Sequence, residues 1–226
     1  MTTIILVRPQ LPENIGMVAR AMLNFGFDQL RLVDPREGWP HADAYPASAG
    51  ADTVLGQTTV YSTVAEAIAD LSMVYATTAR KRDMVKPVID LPQLTPSHQH
   101  NMGILFGAEA SGLSNQELIL ADQLITIPTN PAFSSMNLAQ TVILVCHYLY
   151  QRPQSCAKEM QAASKKELVF LLSQLEQFLD ECNFFKPAGK KPLMLQNLQN
   201  IFTRAGLTSQ EIQTLHGVFK ALVKKK

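Results

Sequence analysis

The chain has 226 residues, of which 46% are hydrophobic, and its formal net charge is +1. This composition supports one full domain with a smaller appendage, and the core needs neither disulfides nor metal for its stability. The three cysteines lack CxxC spacing, so they indicate neither a disulfide framework nor a zinc site and fit a reducing cytoplasm: Cys146, Cys156 and Cys182. Membrane spans and a signal peptide are not recognised, so no membrane partner is expected.

Charge is distributed unevenly along the chain. Residues 1–152 carry 9 Lys and Arg against 13 Asp and Glu, whereas residues 153–226 carry 11 against 6. A basic appendage on an acidic body is expected where the appendage binds a polyanion, although a solubilising Lys-rich tail explains the charge nearly as well. We therefore divide the chain into a main domain, 1–152, and a linker with a helical C-terminal extension, 153–226.

The first elements in chain order are a strand, a helix and a strand. The apolar run at residues 4–7 predicts a buried strand over residues 3–7, and Asn14 is predicted as the N-cap of a helix over residues 15–24. Gly26 suits the left-handed position that ends such a helix. A second strand at 30–33 completes a βαβ unit, whose functional edge is the loop after the first strand.

The same alternation continues through the main domain. Residues 37–56 predict a surface loop with a short helix. Further strands are predicted at 58–61, 73–76, 104–106 and 124–127, and further helices at 64–71, 115–121 and 138–150. Strands that alternate with helices predict the α/β class.

Two loops that follow predicted strands carry candidate binding residues. After the strand at 73–76 come small residues that let a ligand approach the backbone, and then three cations that suit phosphates or, equally, an ordinary basic loop: Thr77, Thr78, Ala79, Arg80, Lys81 and Arg82. After the strand at 104–106 comes the sequence GAEASGL, in which Glu109 is the only charge. This loop lacks GxGxxG and a P-loop lysine, so neither of those nucleotide sites is indicated.

A third loop, residues 127–138, joins an apolar strand to a long apolar helix. Pro128 and Pro131 prevent the helix from starting early. Ser134, Ser135 and Asn137 then place hydroxyl and amide groups beside the helix N-terminus, whose free N–H groups bind anions. The alternative is that Ser135 or Asn137 simply caps the helix.

The C-terminal extension is predicted to be helical. A capping-box pattern at Ser164–Glu167 begins one helix, and two more follow over residues 193–204 and 209–222, the last with a capping box at Thr208–Glu211. The loop at 183–191 combines aromatic and cationic residues that suit RNA, and equally a corner between packed helices: Phe184, Phe185, Lys186, Lys190 and Lys191.

Three of these segments together resemble one family, the SPOUT RNA 2′-O-ribose methyltransferases. They are Asn14–Arg20 (NIGMVAR), Phe106–Leu113 (FGAEASGL) and Asn130–Leu138 (NPAFSSMNL). The segment Ile201–Ala205, with its flanking helices, is similar to the C-terminal extension of the TrmJ-type tRNA (cytidine/uridine-2′-O)-methyltransferases. One departure from the family pattern is Ala108, where some relatives carry a larger residue.

The resemblance implies a fold, a cofactor and a set of site residues. The fold would be an open, mostly parallel α/β sheet with helices on both faces and a C-terminal trefoil knot, in a homodimer whose sites are completed across the interface. S-adenosylmethionine would contact Thr77, Thr78, Ala79, Gly107, Ile127, Ser134, Ser135 and Met136. The catalytic set would be Arg20, Asn14, Glu109, Ser135 and Asn137.

The residues of that catalytic set are expected to act in different ways. Arg20 would bind the phosphate beside the target ribose and the alkoxide that develops on it, since a guanidinium is a poor base. Asn14 would cap its helix and orient Arg20, and Glu109 would anchor its loop. Ser135 and Asn137 would shape the target pocket.

The resemblance also implies a substrate. Ribose 32 of tRNA, at the edge of the anticodon loop, on cytidine or uridine, is the expected target, and no DNA partner is expected. Two alternatives stay open at this stage. One is ribose methylation of another RNA site, either the tRNA wobble nucleotide or ribosomal RNA, and the other is a non-catalytic RNA-binding protein with the same fold.

Overall fold

The computed structural model describes residues 2–79, 86–94, 101–151 and 162–223. The predicted cations Arg80, Lys81 and Arg82, Cys156 and most of the predicted linker lie outside these residues. Within the described residues, no helix is long and apolar enough to cross a membrane. The same part of the chain contains no group of three or more His, Cys, Asp or Glu side chains placed to hold a metal ion.

The described residues form a seven-stranded sheet. Its strands in chain order are β1 (Thr2–Val7), β2 (Gln29–Val33), β3 (Thr59–Tyr61), β4 (Met73–Thr77), β5 (Val88–Asp90), β6 (Met102–Phe106) and β7 (Gln123–Thr126). Their order across the sheet is β3-β2-β1-β6-β4-β7-β5, and every neighbouring pair is parallel. The predicted α/β class is therefore confirmed, whereas the edge strand β5 was not predicted.

Helices cover both faces of this sheet. Those of the main domain are α1 (Pro12–Leu23), α2 (Ala44–Ser48), α3 (Asp52–Gln57), α4 (Val64–Ala67), α5 (Asn115–Leu120) and α6 (Leu138–Gln151). In β1, Ile4 and Leu6 share a buried cluster with α1, α3 and α6, while Ile5 and Val7 pack with α4 and α5. Successive side chains of a strand point to opposite faces, so burial on both faces explains why β1 is continuously apolar from Ile4 to Val7.

The start of α1 differs from the prediction. The helix begins at Pro12, with Leu11 at the N-cap and no side-chain cap, so the prediction of Asn14 as N-cap is wrong. Proline is favoured at the first helical position, because the N–H that it lacks would have no partner there. Asn14 consequently lies inside the first turn, where it is buried. The end is as predicted, since Gly26 has a φ of 74° just beyond the helix.

Two further boundaries also differ from the predictions. The helix predicted over residues 64–71 ends at Ala67, because the chain turns there and packs Ile68 and Leu71 into the core. Residues 37–56 contain one complete short helix, α2, and the beginning of a second, α3, rather than a single helix.

Three helices follow the main domain: α7 (Lys165–Glu181), α8 (Lys191–Arg204) and α9 (Ser209–Val223). Both predicted capping boxes are present, with the Ser164 hydroxyl accepting from the Glu167 N–H and the Thr208 hydroxyl accepting from the Glu211 N–H. Leu168 and Leu171 of α7 pack with Ile212 of α9 in a separate buried cluster. The three predicted helices are therefore present and share their own small core.

These helices dock on the amino edge of the sheet. The Lys165 N–H donates to the carbonyl of Leu71 at 2.8 Å, and the Lys165 ammonium forms a buried ion pair with Asp122. The second Asp122 oxygen accepts from the Val74 N–H at 2.6 Å. Leu71 and Asp122 lie just before β4 and β7, so the C-terminal helices contact the amino ends of these strands. The loops that follow the strands lie at the opposite, carboxyl end.

Candidate active site at the carboxyl edge of the sheet

The carboxyl ends of three adjacent strands define a cleft. β6, β4 and β7 are neighbours in the sheet, so the loops that follow them meet at one edge. The cleft has a cavity volume of about 190 Å³ and opens to solvent at its mouth. The eight predicted cofactor residues all line it: Thr77, Thr78, Ala79, Gly107, Ile127, Ser134, Ser135 and Met136.

One wall of the cleft is a tight loop, residues 107–113. A Cβ at Gly107 would lie 2.2 Å from the carbonyl carbon of Gly112, so only glycine fits there. The Gly112 N–H donates to the carbonyl of Ala108 at 2.8 Å, and Gly112 itself has a φ of 68°. The two glycines of the sequence pattern thus allow the chain to turn back and expose its backbone to the cleft.

A network of three side chains joins the three sequence segments. The Asn14 amide donates to Glu109 Oε1 at 2.7 Å, and the Gln10 N–H donates to Glu109 Oε2 at 2.9 Å. The Asn137 amide donates to Asn14 Oδ1 at 3.2 Å. Asn14 is 2% exposed, so its two hydrogen bonds satisfy a buried polar group and fix the three loops relative to one another.

Asn137 also caps α6. Its Oδ1 accepts from the N–H groups of Ala139 at 2.9 Å and Gln140 at 3.3 Å. The interpretation of Asn137 as a helix cap is therefore confirmed, and its role in the active site stays a prediction. Thr141, one turn further along α6, lines the cleft and was not predicted. Its hydroxyl donates to the Asn137 carbonyl at 2.9 Å.

Arg20 is not among the described residues that line the cleft. It lies on the exposed side of α1, in a shallow concavity between α1 and α6 that it shares with Met17, Asn137 and Ile143. Asn137 therefore stands between the cleft and the surface that carries Arg20. Within one subunit, Asn14, Glu109 and Asn137 are brought together and Ser135 faces the cleft. Arg20 lines the neighbouring concavity, which it shares with Asn137.

A further ion pair, not predicted from the sequence, joins the loop after β1 to α5. The Arg8 guanidinium, just after β1, forms a two-pronged ion pair with Glu117 of α5. Burial would raise the pKa of Glu117, but hydrogen bonds from Arg8 and Ser114 more than offset that effect and hold the pKa below its usual value. The two residues are 109 positions apart, which is why the local pattern contains no signal for the pair.

The aromatic and cationic loop at 183–191 divides its side chains between packing and solvent. Phe185 is buried, and the Lys191 ammonium lies 5.2 Å from the centre of its ring while pairing with Glu176 and Asp180. Phe184, Lys186 and Lys190 are exposed. The packing interpretation is therefore confirmed for Phe185 and Lys191, and RNA binding by the exposed residues of the loop stays a prediction.

Comparison with known protein families matches residues 1–147 to the SpoU rRNA methylase family. The chain belongs to the SpoU methylase family. The C-terminal helices of this methylase match a second family, the C-terminal domain of the tRNA methyltransferase TrmJ, over residues 166–226.

Individual relatives of the methylase match almost its whole length. The tRNA (cytidine-2′-O-)-methyltransferase TrmJ of Methanocaldococcus jannaschii is 32% identical and aligns over 97% of this chain and 99% of its own. The tRNA (cytidine/uridine-2′-O-)-methyltransferase TrmJ of Yersinia pestis is also 32% identical, over 98% of this chain and 91% of its own.

Solved structures share the fold of the methylase. The crystal structure of TrmJ from Z. mobilis ZM4 superposes with a TM-score of 0.91 at 46% identity and covers 98% of this chain and 99% of its own. The SpoU methyltransferase AviRb from Streptomyces viridochromogenes, in complex with the cofactor AdoMet, superposes with a TM-score of 0.53 at 21% identity, over 67% of this chain and 59% of its own. At that identity the second comparison speaks for the fold alone.

Proposed function

We propose that this methylase transfers a methyl group from S-adenosylmethionine to the ribose 2′-hydroxyl of tRNA, on cytidine or uridine at nucleotide 32. The observation that carries the proposal is the cleft, where all eight expected cofactor residues meet beside the network of Asn14, Glu109 and Asn137. The names of the full-length relatives support a tRNA ribose as the acceptor. Nucleotide 32 rests on the family resemblance of the sequence.

The chemistry of the cleft fits this cofactor. Phe106, Ile127 and Leu138 offer apolar surface for a purine ring, while the loop at 107–112 and the Thr and Ser hydroxyls offer hydrogen-bonding groups for the ribose and the amino-acid tail. When bound, S-adenosylmethionine supplies a methyl group on a positively charged sulfur. The protein has to hold an acceptor oxygen in line with that methyl group and exclude competing water.

Arg20 is proposed to bind the phosphate next to the target ribose and to stabilise negative charge as it develops on the 2′-oxygen. A guanidinium is a strong cation and a poor base, so it acts here through its charge and its hydrogen bonds. Hydrogen bonds from a preorganised guanidinium to phosphate and alkoxide oxygens are strong because both partners are charged.

The position of Arg20 supports a homodimer. The outer faces of α1 and α6, which flank Arg20, expose Met17 at 40%, Ile143 at 37% and Leu144 at 41%. A second copy packed on this apolar face would cover it and would bring Arg20 of the partner subunit towards the cleft. We therefore propose that each active site combines the cleft of one subunit with the arginine of the other.

Two further parts of the proposal concern architecture. The C-terminal half of the sheet is proposed to be threaded into the trefoil knot that the family resemblance implies. Residues 153–226 are proposed to act as a linker and a helical extension that docks tRNA, which is supported by the separate family matches on either side of residues 148–165. The enzyme is proposed to work in the cytoplasm, where tRNA is found.

Methylation of tRNA transcripts in vitro tests the proposal. Purified protein, tritiated S-adenosylmethionine and unmodified tRNA should give a 2′-O-methyl group that maps to nucleotide 32, and transcripts that differ only at that base should show which bases are accepted. Methylation at the wobble nucleotide, or of ribosomal RNA alone, would replace the proposed substrate while keeping the reaction. A chain that is not thermally stabilised by S-adenosylmethionine and transfers no methyl group would be a non-catalytic RNA-binding protein.

A further inference from the structure

The wall of the cleft is fastened to the first loop of the chain at two places. Near its start, Glu109 accepts hydrogen bonds from the Gln10 N–H and from Asn14. Beyond its end, Glu117 receives the guanidinium of Arg8. Residues 107–113, which form the wall, therefore lie between two anchors that both lead back to residues 8–14.

The second anchor is built on a distinctive backbone conformation. Arg8 has a φ of 50°, which is uncommon for a residue other than glycine, and its N–H donates to the carbonyl of Val33 at 2.8 Å. The backbone bond extends the β1–β2 pairing by one residue. Arg8 is thus fixed to the rigid sheet, so a side chain held by it is fixed as well.

The guanidinium then meets a carboxylate that is already oriented. Arg8 Nη1 donates to Glu117 Oε1, and Nη2 donates to Oε2 at 3.1 Å. The Ser114 N–H also donates to Glu117 Oε2, at 2.7 Å, in the capping box of α5. The position of the carboxylate therefore sets where the chain passes Ser114, directly after the last residues of the wall.

We infer that Arg8 is a positioning residue for cofactor binding, which acts through Glu117 to hold the wall at residues 107–113 in place. The inference rests on the proposed function, because it concerns the cofactor of that same cleft. Arg8 does not itself line the cleft in the described structure. Its contribution is expected in affinity for S-adenosylmethionine rather than in the rate of methyl transfer once the cofactor is bound.

A second ion pair provides a matched control. Arg31 of β2 binds Asp70 with the same two-pronged geometry, at 2.5 Å and 2.8 Å, and also donates to the Ala67 carbonyl. Neither Arg31 nor Asp70 is among the described residues that line the cleft. Breaking either pair should lower the stability of the protein, whereas only the loss of the Arg8 pair should weaken the affinity for S-adenosylmethionine.

Isothermal titration calorimetry of the full-length protein with S-adenosylmethionine tests the inference. Arg8→Ala should weaken cofactor binding by about tenfold and leave kcat at saturating cofactor within about twofold of wild type. Glu117→Gln keeps an acceptor for the capping box but loses the charge, so it should weaken binding in the same direction. The double variant should be little worse than Arg8→Ala alone, because both changes remove one interaction. Arg31→Ala should bind the cofactor as wild type does.

Several results would overturn the inference. Wild-type affinity in both Arg8→Ala and Glu117→Gln would do so, as would an equal loss of affinity in Arg31→Ala, which would make the effect one of general stability. A fall in kcat with unchanged cofactor affinity would assign Arg8 to RNA or to the chemical step. If the wild-type protein gave no heat of binding, the proposed function would fail and the inference with it, whereas failure of the variants alone leaves that function standing.

Discussion

Arg20 lies outside the cleft of its own subunit, so the contributions of Arg20 and of the cleft can be measured apart. We expect Arg20→Ala to lower the rate of methyl transfer by at least about a hundredfold, the usual loss when one group that stabilises developing charge is removed. The affinity for S-adenosylmethionine should stay within a few fold of wild type, because Arg20 is not among the described residues that line the cleft. Single-turnover assays and calorimetry measure the two quantities.

A mixture of inactive variants tests whether Arg20 acts across subunits. Gly107→Val should lose the cofactor but keep Arg20, and Arg20→Ala should keep its cleft. If subunits exchange freely, about half of the dimers are mixed and each has one complete site, so about a quarter of wild-type activity should return. An inactive mixture, with exchange verified, would place Arg20 and the cleft it serves in the same subunit.

The cleft wall packs against Gly107 in the space that a Cβ would occupy. Its missing Cβ leaves room for the backbone of Gly112 and Leu113, at 2.2 Å and 2.3 Å from where that atom would be. Gly107→Ala should therefore displace the wall and weaken S-adenosylmethionine binding more than tenfold, by an amount similar to the loss of several cofactor hydrogen bonds. Gly56→Ala is the control, because a Cβ there meets nothing within 4 Å. An unaffected Gly107→Ala variant would show that the wall has room to adjust.

At the scale of elements, sequence patterns predicted local features, namely the strands and the starts of helices. Apolar runs predicted six of the seven described strands, and the capping boxes at Ser164 and Thr208 predicted two helix starts. β5 was not predicted because an edge strand of three residues has almost no periodicity. The start of α1 was placed too late because Pro12 was assigned to the loop, although proline also favours a first helical position.

The arrangement of elements depends on contacts that no local pattern contains. The three loops meet because β4 lies between β6 and β7, an order that differs from the order along the chain. The family resemblance predicted their convergence, and chemically suitable residues were visible in each loop. Arg8 was missed because its partner Glu117 is brought near only by the fold, and Thr141 was missed because only the fold shows that this residue of α6 lines the cleft.

Lys86, just before β5, links that edge strand to α5 and makes the stability of the methylase depend on pH. Its ammonium donates to the carbonyls of Ile119 and Ala121, and burial lowers the pKa of Lys86 to about 8. The unfolded chain, with an ordinary lysine pKa of about 10.4, binds more protons between those values, so the folded state gains stability as pH rises from about 8 to about 10. Urea titrations should show wild type gaining stability relative to Lys86→Met over this interval. Parallel curves would contradict the prediction.

At the scale of the whole molecule, one buried ion pair fastens the C-terminal helices to the sheet. Lys165 is 5% and Asp122 is 9% exposed, and they join α7 to the amino edge between β4 and β7. Lys165→Met leaves a buried carboxylate without this partner, and such changes cost about 3–5 kcal/mol in free energy of unfolding. Lys191→Met, which breaks an exposed set of ion pairs within the helices, should have little effect. If urea unfolding showed equal losses in free energy of unfolding for the two variants, the buried pair would contribute no more to stability than the exposed ones.

The C-terminal helices and the cleft lie at opposite edges of the sheet, separated by a strand length of about 17 Å. A tRNA bound to the exposed lysines of these helices therefore touches the protein far from the reacting ribose. Lys186, Lys190 and Lys220 are exposed, and replacing all three by Ala should weaken tRNA binding, with a shallower dependence of affinity on salt by about 2 in the logarithmic slope.

The corresponding Lys→Arg triple variant keeps the charges and should bind tRNA as wild type does. Because the lysines lie away from the cleft, the Ala variant should raise KM for tRNA while the affinity for S-adenosylmethionine and kcat at saturating tRNA stay the same. A change in kcat instead would mean that the helices act on the reacting nucleotide, through the partner subunit or through a movement of the RNA. Unchanged tRNA affinity in the Ala variant would assign the positive charge of these helices to solubility alone.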